Sequence, residues 1–225
     1  MDFRKKRGEM VTVIRERYGF NSPEILDVMT KVPRERFAPK EYWDSAHDDA
    51  PVDIGFGQTM SQPYTVAIMS SLIIANLKLK GQKSKLESKK AKSKILEIGT
   101  GSGYQAAILS YFFDEVYSLE IIPQLSNHAR TVLAKLGYQN IFVKEGSGER
   151  GWKEKSSFDA IMITAGVEKV PDNLFKQLKV GGVLVAPVGK GRDKTMTRYT
   201  KQSKFKSKFK RKTFGTFHFV PFVQM

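Results

Sequence analysis

The run Ile95-Leu96-Glu97-Ile98 passes directly into Gly99-Thr100-Gly101-Ser102-Gly103, and a helical stretch opens at Tyr104 with Gln105, Ala106 and Ala107. An apolar strand that turns through glycines into a helix aims backbone N–H groups, and the positive end of the helix dipole, at whatever lies beyond the strand. Such a turn belongs at the head of a βα unit in a parallel sheet. The dinucleotide fingerprint needs a third glycine at position 104, where this chain has Tyr104, which disfavours a pyrophosphate on the helix end. Twenty-one residues after Gly99, Glu120 ends a second β-rich run and is placed to accept hydrogen bonds from two ribose hydroxyls. Loop and acid together point to a ribose-bearing ligand.

From Lys94 onward, short β-rich runs alternate with helical stretches, the pattern of successive βαβ units. Strands are expected at Ile95–Ile98, Glu115–Leu119, Asn140–Val143, Phe158–Ile163 and Gly182–Pro187, with helices at Tyr104–Tyr111, Pro123–Leu136 and Asp172–Leu178. Two late strands, near Thr195–Thr200 and Gly215–Val223, are expected to pair antiparallel. The first sixty residues read as helical patches rather than strands, with Ser22-Pro23 opening a helix that carries Ile25, Val28, Met29 and Val32 on one face. Gly55 and Gly57 mark a tight turn or a close approach. After Pro63 the spacing of Val66, Ala67, Met69, Ser70, Ile73, Ile74 and Leu77 predicts a helix that buries one face. The expected fold is α/β: a doubly wound, mostly parallel sheet with an N-terminal helical extension and C-terminal antiparallel strands, in one domain of 225 residues. Within it, residues 1–77 form the helical part, 78–94 a lysine-rich loop, 95–189 the ligand-binding core and 190–225 the C-terminal strands.

The chain has 38 basic and 23 acidic side chains and no cysteine, so disulfides, cysteine-ligated zinc and thiolate nucleophiles are excluded. His47, His128 and His218 fall in unrelated segments with neither a triad nor a metal spacing, so no metal is expected. The net charge of +15 is concentrated: Lys78–Lys94 holds eight lysines and one acid, Lys190–Lys212 holds eleven basic residues and one acid, and the remainder balances 19 basic against 21 acidic groups. The stretch Lys83–Ser93 reads as a solvated low-complexity loop. The alternation through Lys204-Phe205-Lys206-Ser207-Lys208-Phe209-Lys210 suits a half-exposed strand or a nucleic-acid contact. No apolar run follows Met1-Asp2-Phe3-Arg4-Lys5-Lys6-Arg7, and the longest apolar stretch, Val66–Leu77, is too short for a bilayer. A cytoplasmic monomer without membrane attachment is expected.

The GxGxG spacing followed by a large residue resembles the S-adenosylmethionine loop of the Rossmann-like, class I methyltransferases. Ile95 to Ala107 as a whole is similar to the cofactor motif of the protein-L-isoaspartate O-methyltransferases. Val32-Pro33-Arg34-Glu35-Arg36-Phe37 resembles that family's N-terminal signature, and Gly57-Gln58-Thr59-Met60-Ser61-Gln62-Pro63 its substrate-site motif. Phe158-Asp159-Ala160-Ile161 and Gln177–Gly189 match its fourth and fifth strands, and Phe219-Val220-Pro221-Phe222 its C-terminus, all in the family's order. The resemblance implies S-adenosyl-L-methionine as cofactor and S-adenosyl-L-homocysteine as product, held by Gly99, Thr100, Gly101, Ser102, Gly103, Glu120, Ser147 and Gly148. It implies Ser61 as the active-site residue, Gln58, Thr59, Met60 and Gln62 as substrate contacts, and isoaspartyl-containing proteins and peptides as partners. Three departures stand out. Ser147 replaces an aspartate that contacts adenine, leaving the backbone there and Glu149 as substitutes; Thr164-Ala165-Gly166-Val167 replaces Thr-Ala-Ala-Pro; and Lys83–Ser93 looks inserted.

The free α-carboxylate of an isoaspartyl residue, with an ordinary pKa of about 3.5, is ionised at neutral pH and attacks a sulfonium methyl without a general base. The site therefore has to position the reactants and exclude water. Ser61 lies at or beside the N-cap of the helix after Pro63, where its hydroxyl, that of Thr59 and free N–H groups can converge on an anion. By the resemblance it is a positioning group, not a nucleophile. Closure of the methyl ester to a succinimide, and its hydrolysis, would return some normal aspartate and so repair the protein. The alternative is an S-adenosylmethionine-dependent nucleic-acid methyltransferase using the basic segments, which otherwise bind nucleic acid only non-specifically. Against it, C5-pyrimidine chemistry needs a cysteine, and an Asn/Asp-Pro-Pro-aromatic motif cannot exist where no two prolines adjoin. Tyr104 disfavours a nicotinamide oxidoreductase, while Ser147 keeps open a cofactor-binding but inactive relative.

Overall fold

A computed structural model of the chain describes residues 2–81, 92–203 and 208–223. Its N-terminal part contains α1 (Phe3–Tyr18), α2 (Pro23–Lys31) and a hairpin of β1 (Val52–Asp53) and β2 (Thr59–Met60). Asp2 caps α1 by accepting the Lys5 N–H at 3.1 Å, and Gly19 closes the helix in the left-handed conformation. The hairpin corrects the expectation of helix alone over the first sixty residues. Asp53 pairs with Thr59, and the Asp53 carboxylate accepts the Gly55 N–H at 2.7 Å to reverse the chain. Two-residue strands carry no alternation long enough to be read from sequence.

Helix α3 (Pro63–Gly81) also differs from its expected form. Val66, Ala67, Met69, Leu72, Ile73 and Ile74 are all buried, so the helix is enclosed over most of its circumference, between the N-terminal helices and the sheet. It runs to Gly81, which places Lys78 and Lys80 in a helix rather than in the loop expected from 78. Residues 82–91, most of the expected Lys83–Ser93 insertion, lie outside the described residues.

The core follows as β3 (Lys94–Ile98), α4 (Tyr104–Leu109), β4 (Glu115–Glu120), α5 (Pro123–Lys135), β5 (Ile141–Glu145), β6 (Phe158–Ile163), α6 (Asp172–Gln177), β7 (Leu178–Val188), β8 (Asp193–Lys201) and β9 (Phe209–His218). These strands form one seven-stranded sheet in the order β5-β4-β3-β6-β7-β8-β9, parallel from β5 to β7 and antiparallel through β8 and β9. Alternate residues serve opposite faces: Ile95, Ala160, Met162, Val183 and Val185 pack into one apolar cluster, and Leu96, Ile98, Ile161, Ile163 and Leu184 into the other. Covering both faces explains the continuous apolar runs, and each fully buried Ile or Leu contributes about 1.5–3 kcal/mol.

Strand boundaries shift where packing is non-local. β7 starts at Leu178 rather than Gly182 because, beyond an irregularity between Phe158 and Ala160, Leu178 still pairs with Phe158. The last strand ends at His218, not Val223, because the chain then leaves the sheet and bridges Gly166 through Pro221. Of the lysine–phenylalanine alternation, 204–207 lie outside the described residues, while Phe209 packs 4.4 Å from the Phe175 ring and Lys210 is exposed.

Strand order reverses at β3 and β6, and in doubly wound sheets the ligand crevice opens at such a switch point, outside the carboxyl ends of the strands. Here those ends deliver Gly99 after β3, Glu120 at the end of β4 and Thr164 after β6. Among the described residues no helix is long and apolar enough to cross a membrane.

Candidate active site

The glycine loop is tied to its neighbours before any ligand is considered. Gly99 and Thr100 donate their N–H groups to Leu119 O at 2.8 and 3.2 Å, and the Thr164 hydroxyl donates to Gly99 O at 2.6 Å. Gly99 has φ +94°, and a Cβ on it would sit 2.4 Å from Thr164 Oγ1. Gly99→Ala therefore combines backbone strain with a clash, and a loss of about 2–4 kcal/mol in folding stability is expected in a denaturant titration.

Glu120 is 5% exposed, and each of its carboxylate oxygens already accepts one backbone N–H: Oε2 from Gly101 at 2.7 Å, Oε1 from Ile122 at 3.0 Å. An ionised carboxylate has about four lone-pair sites, so two remain. Glu120 lines an open crevice of about 580 Å³, solvent at its mouth included, together with Gln58, Thr59, Gly99, Gly101 and Gly148, with apolar walls from Ile98, Leu119, Ile122 and Phe222. A smaller space of about 340 Å³ adjoins it, lined by Thr59, Met60, Ser61, Thr100, Ser102 and Gln105. The two share Thr59, Gly99, Gly101 and Thr164 and so form one crevice. The hairpin residues and the glycine loop, 35 or more positions apart in sequence, thus face each other across it.

Ser61 is half-buried and stands one residue ahead of Gln62, whose carbonyl accepts the Val66 N–H at the start of α3. Its hydroxyl has no hydrogen-bond partner among the described residues, while its carbonyl accepts from Arg34 Nη2 at 2.8 Å. The other expected contacts divide. Gln58 and Thr59 face the crevice; Met60 lines its smaller part while its side chain, 3% exposed, packs in the core; the Gln62 amide donates to the Tyr18 hydroxyl at 3.2 Å and Asp49 O at 3.0 Å. Gly103 lines neither space and packs against Leu133. Ser147 lines an adjoining open cavity with Lys144, Arg150 and Lys153, which meets the crevice at Leu119 and Gly146, and Glu149 lines none of these three.

Sequence reasoning missed Thr164 and the tail from Val220 to Val223 as walls of the crevice. The tail is laid there by two backbone bonds, Gly166 N–H to Val220 O at 2.8 Å and Phe222 N–H to Gly166 O at 3.0 Å. The Phe219–Phe222 block was its only available signal, a recognisable segment with no chemistry attached. Gly166, where the family has alanine, makes room for a neighbour: a Cβ there would lie 2.5 Å from Lys194 Cε, and Lys194 is buried with its ammonium on Gly189 O at 2.6 Å.

Beneath the loop, Ser118 Oγ donates to Glu97 Oε2 at 2.5 Å and lies 2.6 Å from Thr100 Oγ1, while Glu97 Oε1 has no partner among the described residues. Burial, reinforced by the charge of Glu120 and only partly opposed by Ser118, pushes the Glu97 pKa up to about 8. Because the folded value exceeds the ordinary 4.5, stability is fully present below about pH 4.5 and is lost as pH rises toward about 8. Glu97→Gln removes the titration, so between about pH 5 and pH 8 its stability relative to the unaltered protein is expected to rise, by roughly 1 kcal/mol for each step of one in pH. Urea unfolding at both pH values measures it; equal differences at the two would be the contrary result. Among the described residues no group of His, Asp and Glu could hold a metal ion.

The family profile described as protein-L-isoaspartate(D-aspartate) O-methyltransferase (PCMT) matches residues 5–225. A protein-L-isoaspartate O-methyltransferase of Syntrophus aciditrophicus (strain SB) is 43% identical over 98% of this chain and 95% of its own length. Another, of Dictyoglomus turgidum (strain DSM 6724 / Z-1310), is 41% identical over 97% and 91%. A solved Plasmodium falciparum chain assigned as a PCMT, in complex with S-adenosyl-L-homocysteine, superposes with a TM-score of 0.79 at 20% identity, over 96% of this chain and 97% of that one, a likeness of fold. The nucleic-acid alternative gains no support from these relatives. This chain belongs to the protein-L-isoaspartate (D-aspartate) O-methyltransferase family, whose members depend on S-adenosylmethionine.

Proposed function

We propose that this chain methylates the α-carboxylate of L-isoaspartyl residues in a crevice where Ser61 orients the acceptor and Glu120 holds the donor. The residues fit S-adenosylmethionine by their chemistry: Glu120 offers two lone pairs to a ribose diol, Leu119, Ile122 and Phe222 offer apolar surface to adenine, and the Ser102 N–H is left for the amino-acid end, those of Gly99, Thr100 and Gly101 being held by Leu119 O and Glu120. When bound, it supplies a methyl group on a sulfonium. With Ser147 outside this crevice, the backbone at Gly146 and Gly148 is left to meet the ring edge.

The chain's own residues do three things. The unpartnered Ser61 hydroxyl donates a hydrogen bond to one oxygen of the incoming carboxylate and leaves the other free to react. Thr59, shared by both parts of the crevice, lies where acceptor and donor meet. The tail over Gly166 and the hairpin exclude water, which strengthens attraction between the carboxylate and a cationic donor. No residue needs to take a proton, because the carboxylate is already ionised. The ester then closes to a succinimide outside the enzyme, and the cytoplasmic, monomeric form expected from the sequence belongs to the same proposal.

The observation that carries this reading is the free Ser61 hydroxyl opening onto the same crevice as the glycine loop. Labelled S-adenosylmethionine offered with two peptides that differ only in an isoaspartyl or an aspartyl linkage tests it. Base-labile label is expected on the isoaspartyl peptide alone; label on neither or on both equally contradicts the reading.

A further inference from the structure

Among the described residues, Arg34 is the largest side chain that the fold buries completely. It opens a short 3-10 turn, Arg34–Phe37, and reaches inward to join three segments. Its Nε donates to Ala46 O at 2.7 Å, its Nη2 donates to Ser61 O at 2.8 Å, and its guanidinium carbon lies 4.7 Å from the centroid of the Tyr104 ring. Among the described residues its Nη1 has no partner. The nearby acids are engaged elsewhere: Glu35 with Arg7 at 2.9 Å and His47 at 3.2 Å, Asp49 with Tyr18 and with Arg17 at 3.7 Å. No carboxylate of the described residues lies within ion-pair distance of Arg34. A buried charge without a counter-charge is costly, and a guanidinium does not shed its proton. The fold therefore keeps a cation directly behind Ser61 and Tyr104, two residues that line the crevice.

We infer that Arg34 is a positioning residue for the substrate carboxylate, fixing the Ser61 main chain against the start of α4 through Tyr104 and supplying the positive potential that draws the anion to Ser61. The inference rests on the isoaspartyl reading of the site. It gives Tyr104 a task, since its ring seats the guanidinium that spans the two halves of the crevice. The placement also suits the reaction. A cation in contact with the reacting oxygen would stabilise the charge that methylation removes and so raise the barrier; one residue back, it attracts the anion and leaves that oxygen free.

The test uses the non-reactive complex with S-adenosyl-L-homocysteine and two peptides, one isoaspartyl and one carrying an α-carboxamide at the same position. The unaltered enzyme is expected to prefer the carboxylate by about tenfold or more. Arg34→Met is expected to reduce that preference to within about twofold while S-adenosyl-L-homocysteine affinity stays within about threefold. A folded Arg34→Met that keeps the full preference overturns the inference. Arg34→Lys retains the charge without the fork, so it is expected to keep the preference and to lose at least about tenfold in kcat. If the methionine variant does not fold, an Arg34→Lys enzyme with unchanged kcat overturns the positioning role by itself. An unaltered enzyme that neither prefers the carboxylate nor methylates it would refute the isoaspartyl reading first, and this inference with it.

Discussion

Glu120→Ala is expected to weaken S-adenosyl-L-homocysteine binding by about 100-fold or more, measured by titration calorimetry. Two losses combine. The side chain's remaining lone pairs no longer meet the ribose hydroxyls, and hydrogen bonds to a charged group are worth about 1.5–3 kcal/mol each. The Gly101 and Ile122 N–H groups, held at 2.7 and 3.0 Å by this carboxylate, also lose their partner, so the glycine loop is no longer set before the ligand arrives. Glu120→Gln separates the two effects, because the amide keeps the shape but lacks the charge and two of the acceptor sites; a loss intermediate between those extremes is expected. Binding within threefold of the unaltered protein in both variants would show that the ligand does not use this strand end.

Ser61→Ala acts on the other half of the crevice. Its hydroxyl has no partner among the described residues, so removal is expected to leave stability and S-adenosyl-L-homocysteine affinity nearly unchanged. Turnover of an isoaspartyl peptide is expected to fall by about 10–100-fold, since a lost hydrogen bond to a charged oxygen and a carboxylate free to rotate both reduce the fraction of correctly aligned encounters. Steady-state kinetics beside calorimetry on the same preparation checks it. Parallel losses in kcat and in S-adenosyl-L-homocysteine affinity would instead mean that Ser61 supports the loop.

The parts of this site that sequence disclosed are those whose signal is local. Gly99 to Tyr104 and Glu120 are read directly because a strand, a turn and a helix start are adjacent in the chain, and the parallel sheet imposes apolar runs at β3, β4 and β6. The hairpin at 52–60 was hidden because each of its strands has two residues. The tail over the crevice depends on Gly166 meeting Val220, a pairing across more than fifty residues that leaves no periodicity behind. Arg34 stands in the sequence only as part of a signature; its role follows from Ala46, Ser61 and Tyr104 converging on it, which no spacing announces. Gln62 shows the reverse, a motif residue whose side chain serves α1, while Met60 packs in the core as well as lining the crevice.

The most direct measurement is a crystal structure of the enzyme with S-adenosyl-L-homocysteine and an isoaspartyl peptide. The account predicts one carboxylate oxygen in hydrogen-bond contact with Ser61 and the other facing the sulfur of the cofactor product, beside Thr59, with the ribose on Glu120. A peptide seated along the basic β8–β9 face, or a carboxylate turned away from Ser61, would contradict it.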